Sequence, residues 1–138
     1  MAAACSVLQQ AKSNLLALAH RGINICVTSV DHFYDRVVVA RVSRSPALTE
    51  YAGTVRSLLQ GFIADRHDFN PHVTILKLTR ENDRTVGSNT VPRRLYSEFR
   101  NKYFGDQPVS SIDLCAMSHY IERPEGEFYV TPLHMDLL

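Results

Sequence analysis

The spacing of apolar residues changes along the first third of the chain. From Ala4 to Ala19, apolar side chains recur every three or four positions, the period of an amphipathic helix, and Gly22 follows as a stop signal. Apolar and polar residues then alternate from Ile23 to Thr28, and Val37 to Val42 is rich in β-branched residues. With a turn at Asp31 to Asp35 between them, these two segments are predicted to form a hairpin.

The remaining pattern adds two helices and three strands. Ser45 and Pro46 are typical of a helix start, and an apolar stripe then continues to about Asp65. The order αββαβαββ predicts an α+β domain, with helices packed on a largely antiparallel sheet. The other predicted elements are a strand at His72–Leu78, a polar loop at Glu81–Pro92, a helix at Arg93–Phe104 ended by Gly105, a strand at Ser111–Met117, a turn at Glu122–Gly126 and a strand at Glu127–Leu133.

Length and composition indicate a single domain over residues 1–138. Apolar residues make up 45% of the chain and charged residues 21%, as in ordinary folded domains. Fifteen Lys and Arg residues against fourteen Asp and Glu residues leave a net charge of +1. Composition therefore gives no argument for DNA binding, and any anion site must be a local one.

The cysteines and the apolar runs bear on the compartment. Cys5, Cys26 and Cys115 lie outside any Cys-x-x-Cys pattern, which argues against a disulfide framework or a zinc site and favours the cytoplasm or the nucleus. No apolar run is long enough to span a bilayer, so we expect no membrane partner. Residues 1–30 contain Lys12 and Arg21 but no acidic residue, as transit peptides do, although a helix of the domain is the interpretation we favour.

The segment FNPHVTILKLTR, residues 69–80, carries the candidate chemistry. His72 and Thr74 lie two residues apart on a predicted strand, so their side chains share a face. An imidazole transfers protons near neutral pH and a hydroxyl can hydrogen-bond a phosphate oxygen, which together suit phosphoryl chemistry. By spacing alone, a structural role is the commoner explanation of such a tripeptide, with the histidine bonded to backbone and the threonine present for its β-propensity.

The residues around this tripeptide resemble a known family. FNPHVTILKLT is similar to the C-terminal signature strand of the two-histidine (2H) phosphoesterase superfamily, in its A-kinase anchor protein 7-like branch. The hairpin GINICVTSVDHFYDRVVVARV, the helix LTEYAGTVRSLLQGF and the closing segments FGDQPVSSIDLCAMSHY and GEFYV follow the family's order of elements. The resemblance covers roughly residues 4–131 and implies a 2H phosphoesterase (LigT-like) fold.

The resemblance also implies a function. His72 corresponds to one of two catalytic histidines and Thr74 to its phosphate-binding partner, while Phe69 and Lys77 join Thr74 in binding a nucleotide. Family members act on RNA-type phosphodiesters, including 2′,5′-linked oligoadenylates and 2′,3′-cyclic phosphates, or bind nucleotides such as AMP. We therefore expect a nucleotide or a short RNA as partner, with no metal and no cofactor.

The chain departs from the family pattern at one point. The family's first His-x-Thr strand lies upstream of the first helix, where this chain begins, and the sequence holds no second His-x-Thr or His-x-Ser. We therefore expect an N-terminally truncated, partial domain whose hydrolysis is impaired. Two alternatives stay open: a homodimer supplies a second pair, or His119 or His134 replaces the missing histidine.

Two further clusters have simpler explanations than a functional site. The first suggests a metal site, yet no helical or hairpin spacing brings its members onto one face; it consists of Asp65, His67, Asp68 and His72. The second is a basic run that indicates a solvated face with some attraction for RNA phosphates; it consists of Arg93, Arg94, Arg100 and Lys102.

The apolar stripe from Leu48 to Ile63 leaves a different class of function to consider. In outline it resembles the helices that bind a regulatory subunit of cyclic-AMP-dependent kinase, but packing on the sheet explains it better. The alternative to a phosphodiesterase is thus a non-catalytic module that binds an AMP-like nucleotide or a protein, including a kinase-anchoring scaffold.

Overall fold

The computed structural model describes residues 1–62, 67–79, 87–116 and 129–137. The chain divides into two compact units that are interleaved along the sequence. The first, here the helical unit, comprises Met1–Ile23, Ser45–Asp68 and Pro108–Leu138. The second, here the sheet unit, comprises Asn24–Arg44 and Phe69–Gln107. In the described residues, no helix combines the length and the apolar character needed to cross a membrane.

The helical unit begins with two helices where the sequence predicted one. Helix α1 spans Ala2–Gln10 and helix α2 spans Lys12–Ala19, with Ala11 between them at φ −85° and ψ 2°. Gly22 follows α2 with a φ of 79°, a conformation that favours glycine. It therefore follows the end of the helix as the sequence predicted. The apolar positions of both helices face one core, whose buried members are Leu8, Leu15, Ala19, Ile23, Tyr51, Leu133, Met135 and Leu137.

Helix α3, Pro46–Leu58, begins as the sequence predicted. The Leu48 N–H donates to the Ser45 hydroxyl at 3.1 Å, and Pro46 occupies the first turn. The helix ends at Leu58 rather than near Asp65, which lies outside the described residues. Its apolar side, including buried Tyr51, packs against the core of the helical unit, so core packing accounts for the stripe from Leu48 to Leu59.

Two strands complete the helical unit. Strand β5 spans Ser111–Ala116 and pairs antiparallel with strand β6, Val130–Asp136. The predicted strand at Ser111–Met117 is thus found almost in full, whereas the last strand lies about three residues later than predicted. The predicted turn at Glu122–Gly126 lies outside the described residues.

The sheet unit is built on four strands in the order β3-β2-β1-β4. These are β1 Asn24–Phe33, β2 Val37–Val42, β3 His72–Lys77 and β4 Tyr103–Pro108, and both the β1–β2 and β2–β3 pairs are antiparallel. The predicted hairpin is present, but β1 continues to Phe33, so the turn is shorter than Asp31 to Asp35. Tyr34 and Asp35 both have positive φ, as in a type I′ turn, and the Arg36 N–H donates to the Phe33 carbonyl.

The predicted helix at Arg93–Phe104 is wrong. Two single-turn 3-10 helices, Arg93–Leu95 and Ser97–Phe99, occupy its first part, and β4 begins at Tyr103. Tyr96 interrupts them with a φ of −133° and is buried with Val30, Val38, Leu78 and Val91. Gly105 is not a helix stop; it lies inside β4 at φ 135°, a backbone conformation that only glycine adopts readily. The α+β class and the largely antiparallel pairing are confirmed.

Candidate functional site

One face of the sheet unit collects polar side chains from three strands. On β3, His72 lies opposite Arg41 of β2 and Thr74 lies opposite Val39, so His72 and Thr74 share a face as the sequence predicted. The register then shifts by one residue, which brings Lys77 opposite Val37 and onto the same face. We call the surface formed by Asp31, Phe33, Arg41, His72, Thr74 and Lys77 the His72 face.

A backbone contact fixes the tautomer of His72. Its Nδ1 lies 2.7 Å from the carbonyl oxygen of Asn70. Because a carbonyl only accepts hydrogen bonds, Nδ1 carries the proton in the neutral ring and Nε2 keeps its lone pair. The imidazole is solvent-exposed. His72 therefore presents a nitrogen that can take a proton from a hydroxyl or a water molecule.

The aromatic ring beside His72 belongs to a residue that the sequence did not nominate. Phe33 of β1 meets the imidazole edge to face, with the ring centroids 5.0 Å apart and the planes at 89°. Phe69, the predicted nucleotide-stacking residue, lies just before β3 and is 39% exposed. Phe33 was missed because the sequence placed it in a turn, whereas β1 extends through it.

Arg41 brings a positive charge to the His72 face. Its Nε donates to Asp31 Oδ2 at 2.9 Å and its Nη2 contacts the same oxygen. The Arg41 guanidinium, helped by the His32 backbone N–H, holds the pKa of the Asp31 carboxyl below its usual range. Half of the Arg41 side chain is still exposed, so it remains accessible to an anion while Asp31 orients it.

Strand β3 is exposed on both faces, in contrast to strands β1 and β2. All six of its residues are solvent-exposed, including Val73, Ile75 and Leu76. Among the described strands, β3 forms an edge of its sheet, where unpaired backbone groups can accept another strand. His72, Thr74 and Lys77 thus lie on an accessible edge strand.

The alternative histidines lie elsewhere. His134 of β6, in the helical unit, is held between two carboxylates: Nδ1 is 2.7 Å from Asp113 Oδ1 and Nε2 is 3.1 Å from Asp136 Oδ1. Both carboxylates, Asp113 more than Asp136, raise the pKa of His134. With both ring nitrogens bonded, this imidazole has no free lone pair to act as a base. His119 lies outside the described residues.

The candidate metal ligands do not form a site in the part of the chain that the structure describes. No three His, Cys, Asp or Glu side chains there converge as a metal site would require. Asp65, one of the four candidates, is outside the described residues. The three cysteines, Cys5, Cys26 and Cys115, are free thiols.

The α+β fold and the exposed His-x-Thr strand fit a 2H phosphoesterase-type domain. The comparison with protein families identifies the branch: the family model described as "AKAP7 2'5' RNA ligase-like domain" matches residues 1–137. The chain belongs to this family. Its membership suggests a phosphoesterase-type function.

A solved structure has a similar fold. The crystal structure of TT0787 of Thermus thermophilus superposes with a TM-score of 0.53 and 18% sequence identity. The match covers 94% of this chain and 71% of TT0787, and supports the LigT-like fold. No match was found among the curated proteins.

Proposed function

We propose that the His72 face binds an RNA-type phosphodiester and hydrolyses it slowly by acid–base chemistry that needs no metal ion. The observation that carries this proposal is the hydrogen bond from His72 Nδ1 to the Asn70 carbonyl, which leaves Nε2 as an exposed base. Thr74 lies two residues away on the same face, where its hydroxyl is placed to donate to a non-bridging phosphate oxygen.

The chemistry follows from these positions. Nε2 of His72 takes the proton of an attacking water or ribose hydroxyl while the oxygen forms a bond to phosphorus. The bond to the leaving oxygen breaks, and that oxygen is protonated by solvent. Arg41 and Lys77 offset the negative charge that builds on the phosphate. Since one imidazole supplies only one of the two proton transfers, we expect turnover on the order of 10²–10⁴-fold below that of a two-histidine site.

The substrates we propose are 2′,5′-linked oligoadenylates and 2′,3′-cyclic phosphates. The family's printed description, a 2'5' RNA ligase-like domain, supports an RNA-type linkage. Phe69, which precedes β3 and is 39% exposed, is available to stack on a base.

A second candidate is nucleotide binding without hydrolysis. The His72 face offers three groups that suit a phosphate, namely Arg41, Thr74 and Lys77, but one acid–base group. Such a balance favours recognition over turnover. A homodimer in which two chains each contribute a His72–Thr74 pair would restore two-histidine chemistry, and the exposed edge strand β3 offers a surface for such pairing.

The deciding experiment measures turnover of 2′,5′-oligoadenylate and a 2′,3′-cyclic nucleotide, with a chelator present, over a protein dilution series. We expect slow turnover by the wild type. His72→Ala should abolish this turnover and only weaken AMP binding. The control variant His20→Ala, in the helical unit, should leave the turnover unchanged. A specific activity that falls on dilution supports a site shared between chains. AMP binding without turnover supports the second candidate, whereas a His72→Ala variant as active as wild type rules out the catalytic assignment.

A further inference from the structure

A small cleft lies on the other side of the sheet unit. It encloses about 40 Å³, which is several times the 10–15 Å³ that a single water requires. Strand β1 and the two 3-10 turns form its walls, and its lining residues are Val30, Asp31, His32, Arg93, Tyr96, Ser97 and Arg100. All of them belong to the sheet unit.

The charges around this cleft leave one cation in excess. Arg93 donates through Nε and Nη2 to Asp35 Oδ1, both at 3.3 Å, so these two charges offset each other. Asp31 is matched by Arg41, as described above. Among the described residues, no hydrogen bond or ion pair engages the Arg100 guanidinium, which is exposed at the rim. The local balance therefore favours an anion.

His32 contributes a hydrogen-bond donor to the cleft whether its ring is neutral or charged. Its Nδ1 lies 3.1 Å from the backbone nitrogen of Asp35 and 3.1 Å from the Asp35 carboxylate. In the neutral ring Nδ1 accepts from the Asp35 N–H, and in the charged ring Nδ1–H donates to the carboxylate. Nε2 carries a proton in both states, so the ring always keeps a donor at Nε2.

Tyr96 supplies an unused polar group. It is 8% exposed, lines the cleft and lies with its ring centroid 6.2 Å from that of His32. Its buried hydroxyl has no hydrogen-bond partner among the described residues. A buried hydroxyl without a partner costs stability, and that cost is removed if the Tyr96 ring moves enough for its hydroxyl to reach an acceptor in the cleft. The neighbouring Ser97 hydroxyl provides a further donor at the wall.

We propose that this cleft is a second phosphate site, formed by Arg93, Arg100, His32 Nε2–H and the hydroxyls of Tyr96 and Ser97. Every one of these groups can donate to a phosphate oxygen, and the two arginines add charge to those hydrogen bonds. The ligand is a phosphate group, either free or on the end of a nucleotide. The site does not depend on hydrolysis at His72.

The two phosphate sites lie on opposite faces of one sheet. Val30 and His32 alternate along β1 with Asp31 and Phe33, and Phe33 meets His72 on the other face. Asp31 belongs to both sets, because it lines the cleft and also bonds Arg41 on the His72 face; the phosphate-binding groups proposed for the two sites are otherwise different residues. Binding at the cleft and binding at the His72 face can be separated by mutation.

The test is titration of the whole chain with inorganic phosphate, followed by amide chemical shifts and calorimetry. We expect saturable binding that shifts the amides of residues 30–32 and 96–100. Arg100→Gln should weaken the affinity about tenfold, since it removes a charged donor. Arg94→Gln is the matched control, because it removes the same charge from the same segment at an exposed residue outside the cleft lining; it should change the affinity less than twofold.

Three further variants complete the design. Ser97→Ala and Tyr96→Phe should each weaken phosphate binding at the cleft several-fold, while His72→Ala should leave the phosphate-induced amide shifts of residues 96–100 unchanged. If AMP shifts the same amides and loses affinity in Arg100→Gln, the site accepts a nucleotide phosphate; if only inorganic phosphate does so, it accepts the free ion. Equal losses in Arg94→Gln and Arg100→Gln, or no saturable shift at the cleft, would overturn the proposal. Failure of hydrolysis at His72 would not affect it.

Discussion

Phe33 and His72 are in edge-to-face contact although they lie on strands that are not neighbours in the sheet. Phe33 is on β1 and His72 on β3, with β2 between them, and the centroids of their rings are 5.0 Å apart. An aromatic pair of this geometry contributes about 0.5–1.5 kcal/mol beyond the area it buries. Together with the Asn70 carbonyl at Nδ1, the Phe33 ring fixes the direction in which Nε2 points.

Replacing Phe33 tests this positioning role. We expect Phe33→Leu to lower kcat roughly two- to tenfold, as the energy of an aromatic pair allows, with little change in KM. The ring protons of His72 should also lose the ring-current shift that Phe33 causes, which NMR measures directly. Phe104→Leu, a similar change at an exposed ring on β4, is the control. His72 ring shifts that are the same in Phe33→Leu and wild type would contradict the contact.

Lys77 tests the electrostatics of the His72 face. Lys77→Gln should weaken binding of a short oligoadenylate and reduce the slope of log K against log[salt] by about 0.7, the value for one contact to a single strand. Lys12→Gln removes the same charge from an exposed position on α2 and should leave the slope unchanged. Equal slopes in wild type and Lys77→Gln would show that this ammonium does not contact a phosphate.

The elements that the sequence predicted best are those with local causes. Ser45 and Pro46 fix the start of α3 through contacts within one turn, and the β-branched run Val37–Val42 coincides with β2. The helix expected at Arg93–Phe104 failed because a non-local contact overrides its local pattern. Tyr96 is buried against Val30 of β1, and the Ser29 N–H donates to the Lys102 carbonyl, which brings the following segment beside β1.

The residues of the candidate site also separate into those predicted from a local pattern and those that depend on contacts between strands. The sequence correctly predicted that His72 and Thr74 share a face, because alternation along one strand is a local property. Arg41 was missed because its place opposite His72 depends on the pairing of β2 with β3. Phe33 was missed because its ring meets His72 from a strand that is not a neighbour of β3. A bulge in β1, where the register shifts between Thr28 and Val30, also changes which residues share a face. Simple alternation through Ser29, which has a φ of 53°, predicts the wrong set.

Tyr51 offers a test of packing in the helical unit. Its ring is 5% exposed within the core, its hydroxyl has no hydrogen-bond partner among the described residues, and burial raises the pKa of that hydroxyl. Tyr51→Phe should therefore raise the free energy of unfolding by about 1 kcal/mol, since it removes an unpaired buried polar group. Denaturant unfolding measures the change. Tyr34→Phe, at a side chain 92% exposed, is the control, and a less stable Tyr51→Phe would mean that the hydroxyl has a partner.

His134 should make stability depend on pH. Asp113 first, and then Asp136, raise the pKa of His134 above its ordinary value of about 6.5. Because the folded state holds the proton more tightly than the unfolded state, the stabilisation is complete below about pH 6.5 and is lost as the pH rises through the raised pKa. The Tm of the wild type should therefore fall more steeply than that of His134→Gln as the pH rises above about 6.5.

The two carboxylates allow a graded version of this experiment. Asp113→Asn should flatten the pH profile more than Asp136→Asn, because the hydrogen bond to Asp113 is the larger cause of the raised pKa and is the shorter of the two, 2.7 Å against 3.1 Å. His20→Gln, an exposed change at the end of α2, should keep the wild-type slope. A His134→Gln variant with the wild-type pH profile would show that this imidazole does not hold its proton between the two carboxylates.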